Sequence, residues 1–307
     1  MNVLLLHLAI LFVFPPLLLG SIGKTKAFFA GRIGPPLLQP YYDILKLMQK
    51  ASVYSVTTNW IFRAAPMVSL AAVVSAGILM PVAGVKPPVQ FGGDLILFVY
   101  LLALARFVIV LAALDTGSSF EGMGASREAT FGCLSEITVF LNLTILALLS
   151  RSLSLSEIFL GGLSSSWLQV GPVLILVVVS FFLVLLVENS RIPIDDPETH
   201  LELTMIHEVM VLDHSGVDLA YILYGKAVKL FLFGTMLVSM MMTFRTQDLW
   251  VDTIFFFFEM IGFAILIGVV ESTMARLRLN KVSFLLFSAF IFSIFGFIVI
   301  LVRGAHP

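Results

Sequence analysis

Eight stretches of this chain run about twenty residues with almost no charge, at roughly 3–22, 62–83, 94–114, 131–150, 171–189, 226–244, 254–272 and 283–302. A helix needs about 20 mostly apolar residues to cross a bilayer core of roughly 30 Å. The runs are too long and continuous for buried strands, and they lack the alternation of a membrane barrel. The expected fold is therefore all-α: a polytopic membrane protein with about eight transmembrane helices, residues 1–307 forming a single membrane domain. Composition agrees, because 59% hydrophobic and 12% charged residues exclude a soluble globular domain, where about 25% are charged. A net charge of −1 gives no electrostatic case for nucleic acid. The partner of this surface is the lipid bilayer.

The first run, Val3–Leu19, follows Met1-Asn2 with no basic n-region and no small-residue cleavage signature, so it reads as a first membrane helix. Orientation comes from the basic residues. Thirteen of the Lys and Arg fall on one set of loops and four on the other, with Arg106 inside the third span. This places the basic loops in the cytoplasm and both termini outside. The longest polar segments, roughly 23–61, 115–130 and 190–225, then all face the cytoplasm.

The first of these loops opens with a Gly/Pro-rich turn around Arg32 and continues as a short amphipathic helix. Tyr41, Ile44, Leu45 and Met48 fall at i, i+3, i+4 and i+7, opposite Asp43, Lys46 and Lys50. Such a helix lies in the membrane interface, either as a surface anchor or as the sill of an access site from the bilayer. In the third loop, Asp196 and Pro197 form a helix start, so a helix is expected from Glu198 to about Leu212. Asp195, Glu198, Glu202, Glu208, Asp213 and Asp218 make this loop acidic, as a solvated face or as a carboxylate funnel whose repulsion raises pKa values. His200, His207 and His214 recur every seven residues, about 10.5 Å of helix, too far apart for one metal ion. Titrating near neutrality, they can instead join a proton network.

Charges within spans are costly and face a cavity or one another. Arg106, Glu136, Lys229 and Glu259 lie inside, while Asp115, Glu188 and Glu271 sit at span ends. Lys229, Asp115 and Glu271 read as snorkelling residues. Glu136 reads as a proton-exchanging carboxylate or the partner of a basic group, and Arg106 demands a counter-ion that spacing does not identify. The lone Cys133 reads as a small buried hydrophobe.

Three segments resemble the respiratory complex I subunit 1 family. They are Arg32-Ile33-Gly34-Pro35 with Leu38-Gln39-Pro40 and Asp43-Ile44-Leu45-Lys46-Leu47; Gly124-Ala125-Ser126-Arg127 with Glu136 nine residues after the Arg; and Glu188-Asn189-Ser190-Arg191-Ile192-Pro193-Ile194-Asp195 with Glu198 and Glu202-Leu203. Leu114-Asp115-Thr116-Gly117-Ser118, Gly124-Ala125-Ser126-Arg127-Glu128-Ala129 and Glu271-Ser272-Thr273-Met274-Ala275-Arg276-Leu277-Arg278 are similar to the membrane subunits of group 4 NiFe hydrogenases of the formate hydrogenlyase and hydrogenase-4 type.

The resemblance implies a membrane anchor and coupling subunit in a prokaryotic cytoplasmic membrane. Its partners would be hydrogenase-like large and small subunits, a ferredoxin-like iron–sulfur subunit and antiporter-like membrane subunits. No cofactor is expected on this chain; the NiFe centre and 4Fe-4S clusters belong to the partners. Within it, Glu136, Asp195, Glu198, Glu202, Glu208 and Asp213 are the proton-path candidates. Arg32, Arg106, Arg127, Glu188 and Arg191 are the structural and charge partners. The chain departs from the family where Asp213-His214-Ser215-Gly216 replaces a Glu-Tyr-Ser-Gly motif and where His200 stands in a carboxylate position, which weighs against a quinone site. A quinone-site subunit of complex I and a purely structural anchor are the alternatives.

Overall fold

A computed structural model describes residues 2–161, 163–195, 205–241 and 248–304. Among these, the chain is all-helical, with one isolated bridge between Val82 and Val85 and no strand. The helices are α1 (Asn2–Val13), α2 (Pro15–Phe29), α3 (Gln39–Met48), α4 (Trp60–Leu79), α5 (Asp94–Asp115), α6 (Ser119–Ser150), α7 (Leu155–Leu160), α8 (Leu163–Glu188), α9 (Gly216–Met241), α10 (Leu249–Thr273) and α11 (Leu279–Gly304). Among the described residues, eight spans are long and apolar enough to cross a membrane. α9 is the axis of the bundle: 78% of its most apolar stretch is buried, against 22% for α11 at the periphery.

Several boundaries differ from the hydropathy reading. The fourth span extends back to Ser119, because Glu121, Arg127 and Glu128 continue the α6 helix. The sixth begins at Gly216, so Lys226 and Lys229 lie well within α9. Both differences have one cause: ionic side chains with partners inside the bundle do not interrupt a helix, although they lower its hydropathy.

Proline shapes the first span, Leu4–Phe29, which breaks between α1 and α2 at Phe14. Pro16 cannot donate the N–H that a continuous helix would give to the Phe12 carbonyl. Tyr224 Oη of α9 donates to that oxygen at 2.8 Å, and Tyr41 Oη of α3 donates to the neighbouring Val13 carbonyl. Two tyrosines thus satisfy polar groups that lipid could not. They also dock α3, whose Ile44 is buried while Leu45 and Met48 stay exposed. Where α6, α8 and α11 meet, the fully buried Asn142 donates to Ser180 Oγ at 3.1 Å and accepts from Ser293 Oγ at 2.7 Å. Around α9, Phe231 meets Phe14 and Phe256 edge-on with centroids 5.9 and 6.3 Å apart.

The expected helix from Glu198 to Leu212 is not formed in the part described, 205–212; only a 3-10 turn, Glu208–Val211, is present. Asp195 is the reason. Its Oδ2 accepts from the N–H of Ile206 at 3.0 Å and of His207 at 3.1 Å, donors that an α-helix would need. The Met205 carbonyl is taken by Arg127 Nη1 at 2.9 Å. A buried side-chain acceptor has outcompeted the backbone.

Tyr224→Phe is expected to lower the stability of the solubilised protein by about 1 kcal/mol, because the Phe12 carbonyl keeps no donor. Thermal unfolding of the protein in mild detergent measures it, and an unchanged midpoint would show that the kink closes without Tyr224.

Candidate functional site

Arg106 sits on α5 about 14 Å of helix rise before its end, inside the span rather than at its margin. Its guanidinium presents donors in a fixed fork, and three helix-borne carboxylates take them. Nη1 donates to Glu136 Oε1 at 2.8 Å, Nη2 donates to both oxygens of Glu188, and Nε faces Glu128 Oε1 at 3.4 Å. Glu188, the last residue of α8, also accepts from Ser135 Oγ and pairs with Lys229 of α9 at 2.8 Å. The counter-ion of Arg106 is therefore a cluster that ties α5, α6, α8 and α9 together.

α6 is cut to fit this cluster. Glu128, Gly132 and Glu136 fall at i, i+4 and i+8, one stripe of the helix. A Cβ on Gly132 would collide with the Arg106 guanidinium. Glu128, quoted in the sequence only as part of a family motif, is the member given no role there, although this Glu-x3-Gly-x3-Glu spacing beside a span carries the signal. The snorkelling reading fails for Lys229 and Glu271, which turn inward, whereas Asp115 stays at the margin of its span. Lys229 pairs inward with Glu188. Asp115 accepts from the backbone N–H and the side chain of Asn59 at 2.7 and 2.8 Å, holding the start of α4. Glu271 is buried beside Lys26 at 3.4 Å and Arg191 at 3.5 Å.

Arg106 borders two spaces. Inward lies a cavity of about 50 Å³, lined also by Glu128, His207, Lys226 and Lys229, with room for about three waters. Outward lies an open groove of about 590 Å³ between α5 and α6, lined by Tyr100, Phe107, Cys133 and Glu136. Glu136 keeps 39% of its side chain exposed there, whereas Glu188 keeps 2%. Cys133, close to one turn from Glu136, shares the groove and is exposed rather than buried.

The described acids of the third loop do not gather into a single strip. Asp195 is buried and pairs with Arg276 at 2.9 Å. Glu208 pairs with Lys226 beside the inner cavity. Asp213 is exposed, its N–H donating to the buried Glu121 at 3.0 Å. Asp218 lies in the first turn of α9. Arg32 is exposed in its loop, and Arg127 reaches Met205 and Met123. Asp196, Pro197, Glu198, His200 and Glu202 lie outside the described residues. In α10, Glu259 is half-buried with one oxygen lacking a hydrogen-bond partner among the described residues.

The two described histidines of this loop do not titrate near neutrality. Burial and then the cations Lys226, Lys229 and Arg106 push His207 well below the usual imidazole value. His214 stacks on Phe62 of α4 with centroids 4.0 Å apart and 4° between planes. Burial takes it down to about 4, against the opposing pull of Asp218 and Asp213. Among the described residues no three His, Cys, Asp or Glu converge as a metal site. The lone Cys also cannot supply the four thiolates of an iron–sulfur cluster.

Eight apolar spans around an ion cluster at mid-helix, with loops folded over one end, are the build of a multi-pass membrane protein rather than a soluble catalyst. Residues 1–302 match the NADH dehydrogenase family, and the chain belongs to it. It is 31% identical over 304 residues to formate hydrogenlyase subunit 4 of Escherichia coli K12, covering 97% of each chain. It is 32% identical over 289 residues to hydrogenase-4 component C of the same organism, covering 91% of this chain and 90% of the relative. An NADH-quinone oxidoreductase subunit of Bordetella petrii is 26% identical over 228 residues, 70% of this chain and 60% of the relative. The fold is also that of a chain in the membrane-bound sulfane sulfur reductase, an archaeal respiratory membrane complex, with TM-score 0.82 and 20% identity over 98% of this chain and 100% of that one.

Removing one member of a buried ion network leaves an uncompensated charge, a loss of about 3–5 kcal/mol. Arg106→Leu and Glu188→Ala are each expected to abolish accumulation of the folded protein in the membrane. Arg106→Lys should not restore it, since an ammonium lacks the fork. For His214, a folded value of about 4 lies below the free value of 6.5, so the unfolded chain binds the extra proton. Stability is full above about pH 6.5 and falls toward pH 4, by up to about 3 kcal/mol. His214→Phe should flatten the thermal midpoint measured between pH 7 and 5.

Proposed function

We propose that this chain is the membrane anchor and coupling subunit of a group 4 NiFe-hydrogenase-type complex of the formate hydrogenlyase kind. It would link electron transfer in a peripheral arm to proton or sodium translocation across a prokaryotic cytoplasmic membrane. The observation that carries the reading is the charge balance of the cluster. Three carboxylates, Glu128, Glu136 and Glu188, share two cations, Arg106 and Lys229. Ionised throughout, the cluster holds one net negative charge inside a span. One bound proton brings it to neutrality, which the low-dielectric interior favours.

The geometry suits transfer of that proton. Lys226, paired with Glu208, and the neutral His207 border the inner cavity, Arg106 borders both cavity and groove, and Glu136 offers its carboxyl to the groove. In this reading the loop acids Asp195, Glu198, Glu202 and Asp213 form the cytoplasmic mouth. The basic end faces the cytoplasm with both termini outside, and α3 lies in the interface. A change of charge in the peripheral arm would be read by a bistable carboxylate–water network around the cluster, a local electrostatic switch. The NiFe and 4Fe-4S centres would sit in the hydrogenase-like and ferredoxin-like partners, and the antiporter-like subunits would receive the ion.

Relatedness supports the hydrogenase branch over the quinone-site alternative. The hydrogenase-type relatives align over 91–97% of this chain, and the NADH-quinone oxidoreductase relative over 70%. Glu136→Gln and Glu202→Gln are each expected to uncouple ion pumping while the complex still assembles and turns over. Proton uptake by inverted vesicles is the measurement, and normal uptake in both variants would sink the proton-path assignment.

A further inference from the structure

The α5–α6 face has a second built feature, at the ends of these helices remote from the ion cluster. An open groove of about 460 Å³ runs between them, walled by Leu95, Ile96, Phe140 and Leu148 and closed at its tip by Arg151 and Ser152. Next to it lies a polar chamber of about 530 Å³, lined by Lys86, Gln90, Ser154, Ser156 and Glu157. Ser152 lines both, so the two spaces adjoin.

The chamber is fixed by the fold. The buried Asp94 accepts from the Leu155 N–H at 2.7 Å and from Ser154 Oγ at 3.1 Å, pinning the start of α7 to the start of α5. Arg151 caps α6 in the left-handed region, φ 54°, which turns the chain over the groove. Its guanidinium and the Lys86 ammonium are exposed, and neither has a carboxylate within ion-pair distance among the described residues.

We infer that this end of the α5–α6 face binds a glycerophospholipid whose headgroup carries a phosphodiester and an ammonium. An apolar slot beside the bilayer that opens into a polar chamber has the shape of one amphiphile. The acyl chain lies along Ile96, Phe140 and Leu148. The phosphodiester is held by Arg151, whose planar fork suits phosphate oxygens, with Lys86 as the second cation. Glu157 is the one acid lining the chamber and meets the ammonium. No residue of the ion cluster contributes to this site, so lipid binding here is independent of the ion path.

The test uses the assembled complex, delipidated in mild detergent and titrated with phosphatidylethanolamine, phosphatidylglycerol or inorganic phosphate, read by native mass spectrometry and thermal midpoint. Phosphatidylethanolamine should bind and raise the midpoint. Lys86→Gln with Arg151→Gln should weaken binding at least about tenfold, equivalent to 1.4 kcal/mol. Thr144→Phe, which fills the groove without touching a charge, should weaken it independently. Glu157→Gln should remove the preference over phosphatidylglycerol. Equal lipid retention by all variants, a preference for phosphatidylglycerol, an equal shift with inorganic phosphate, or a helix of a neighbouring subunit seated in the groove would each overturn the assignment.

Discussion

A guanidinium buried inside a membrane helix must be surrounded by acceptors, and the bundle is arranged to supply them to Arg106. The requirement reaches across four helices. α6 gives two carboxylates on one stripe and a glycine between them to make room; α8 ends on a third. α9 brings Lys229, a second cation for the buried Glu188. Each of these groups is costly in isolation and tolerable only with the rest in place. The packing of α5, α6, α8 and α9 is thus inseparable from the electrostatics of the cluster.

The same logic recurs outside the cluster with a different outcome. Asp195 gives its oxygens to two backbone N–H groups and to Arg276. Glu271 ties α10 to Lys26 of α2 and to Arg191. These contacts tie the described residues at the loop end of the bundle to one another. The ion cluster differs in being unbalanced by one charge and in touching two open spaces. Paired acids hold the fold, and under the proposed function the excess acid is the one that exchanges a proton.

Much of the architecture is legible in the sequence. The eight apolar runs correspond to eight spans, and the short helix after the Gly/Pro turn is present as Gln39–Met48. Glu136 and Arg106 stand out in the sequence as charges within spans, and they bond to one another. Glu128 does not stand out, because it precedes the apolar run, where hydropathy reads loop. The third-loop helix is absent from 205–212 because capping chemistry at Asp196-Pro197 is local, whereas Asp195 captures backbone donors eleven and twelve residues away. The ordinary imidazole pKa suggests histidines that titrate near neutrality, but residue type carries no information about burial, which drives His207 and His214 down.

What the sequence determined by itself was the medium and the number of crossings, because a helix must satisfy its own backbone in lipid and about twenty apolar residues suffice to span it. It also limited the charges inside the spans to a few, so that each needed a partner. Which acids would serve Arg106 was decided only by tertiary structure. The four helices that converge on it are separated by as many as 123 positions along the chain, from Arg106 to Lys229. Helical periodicity specifies faces within one element, and only packing brings the face of one helix to the charge of another.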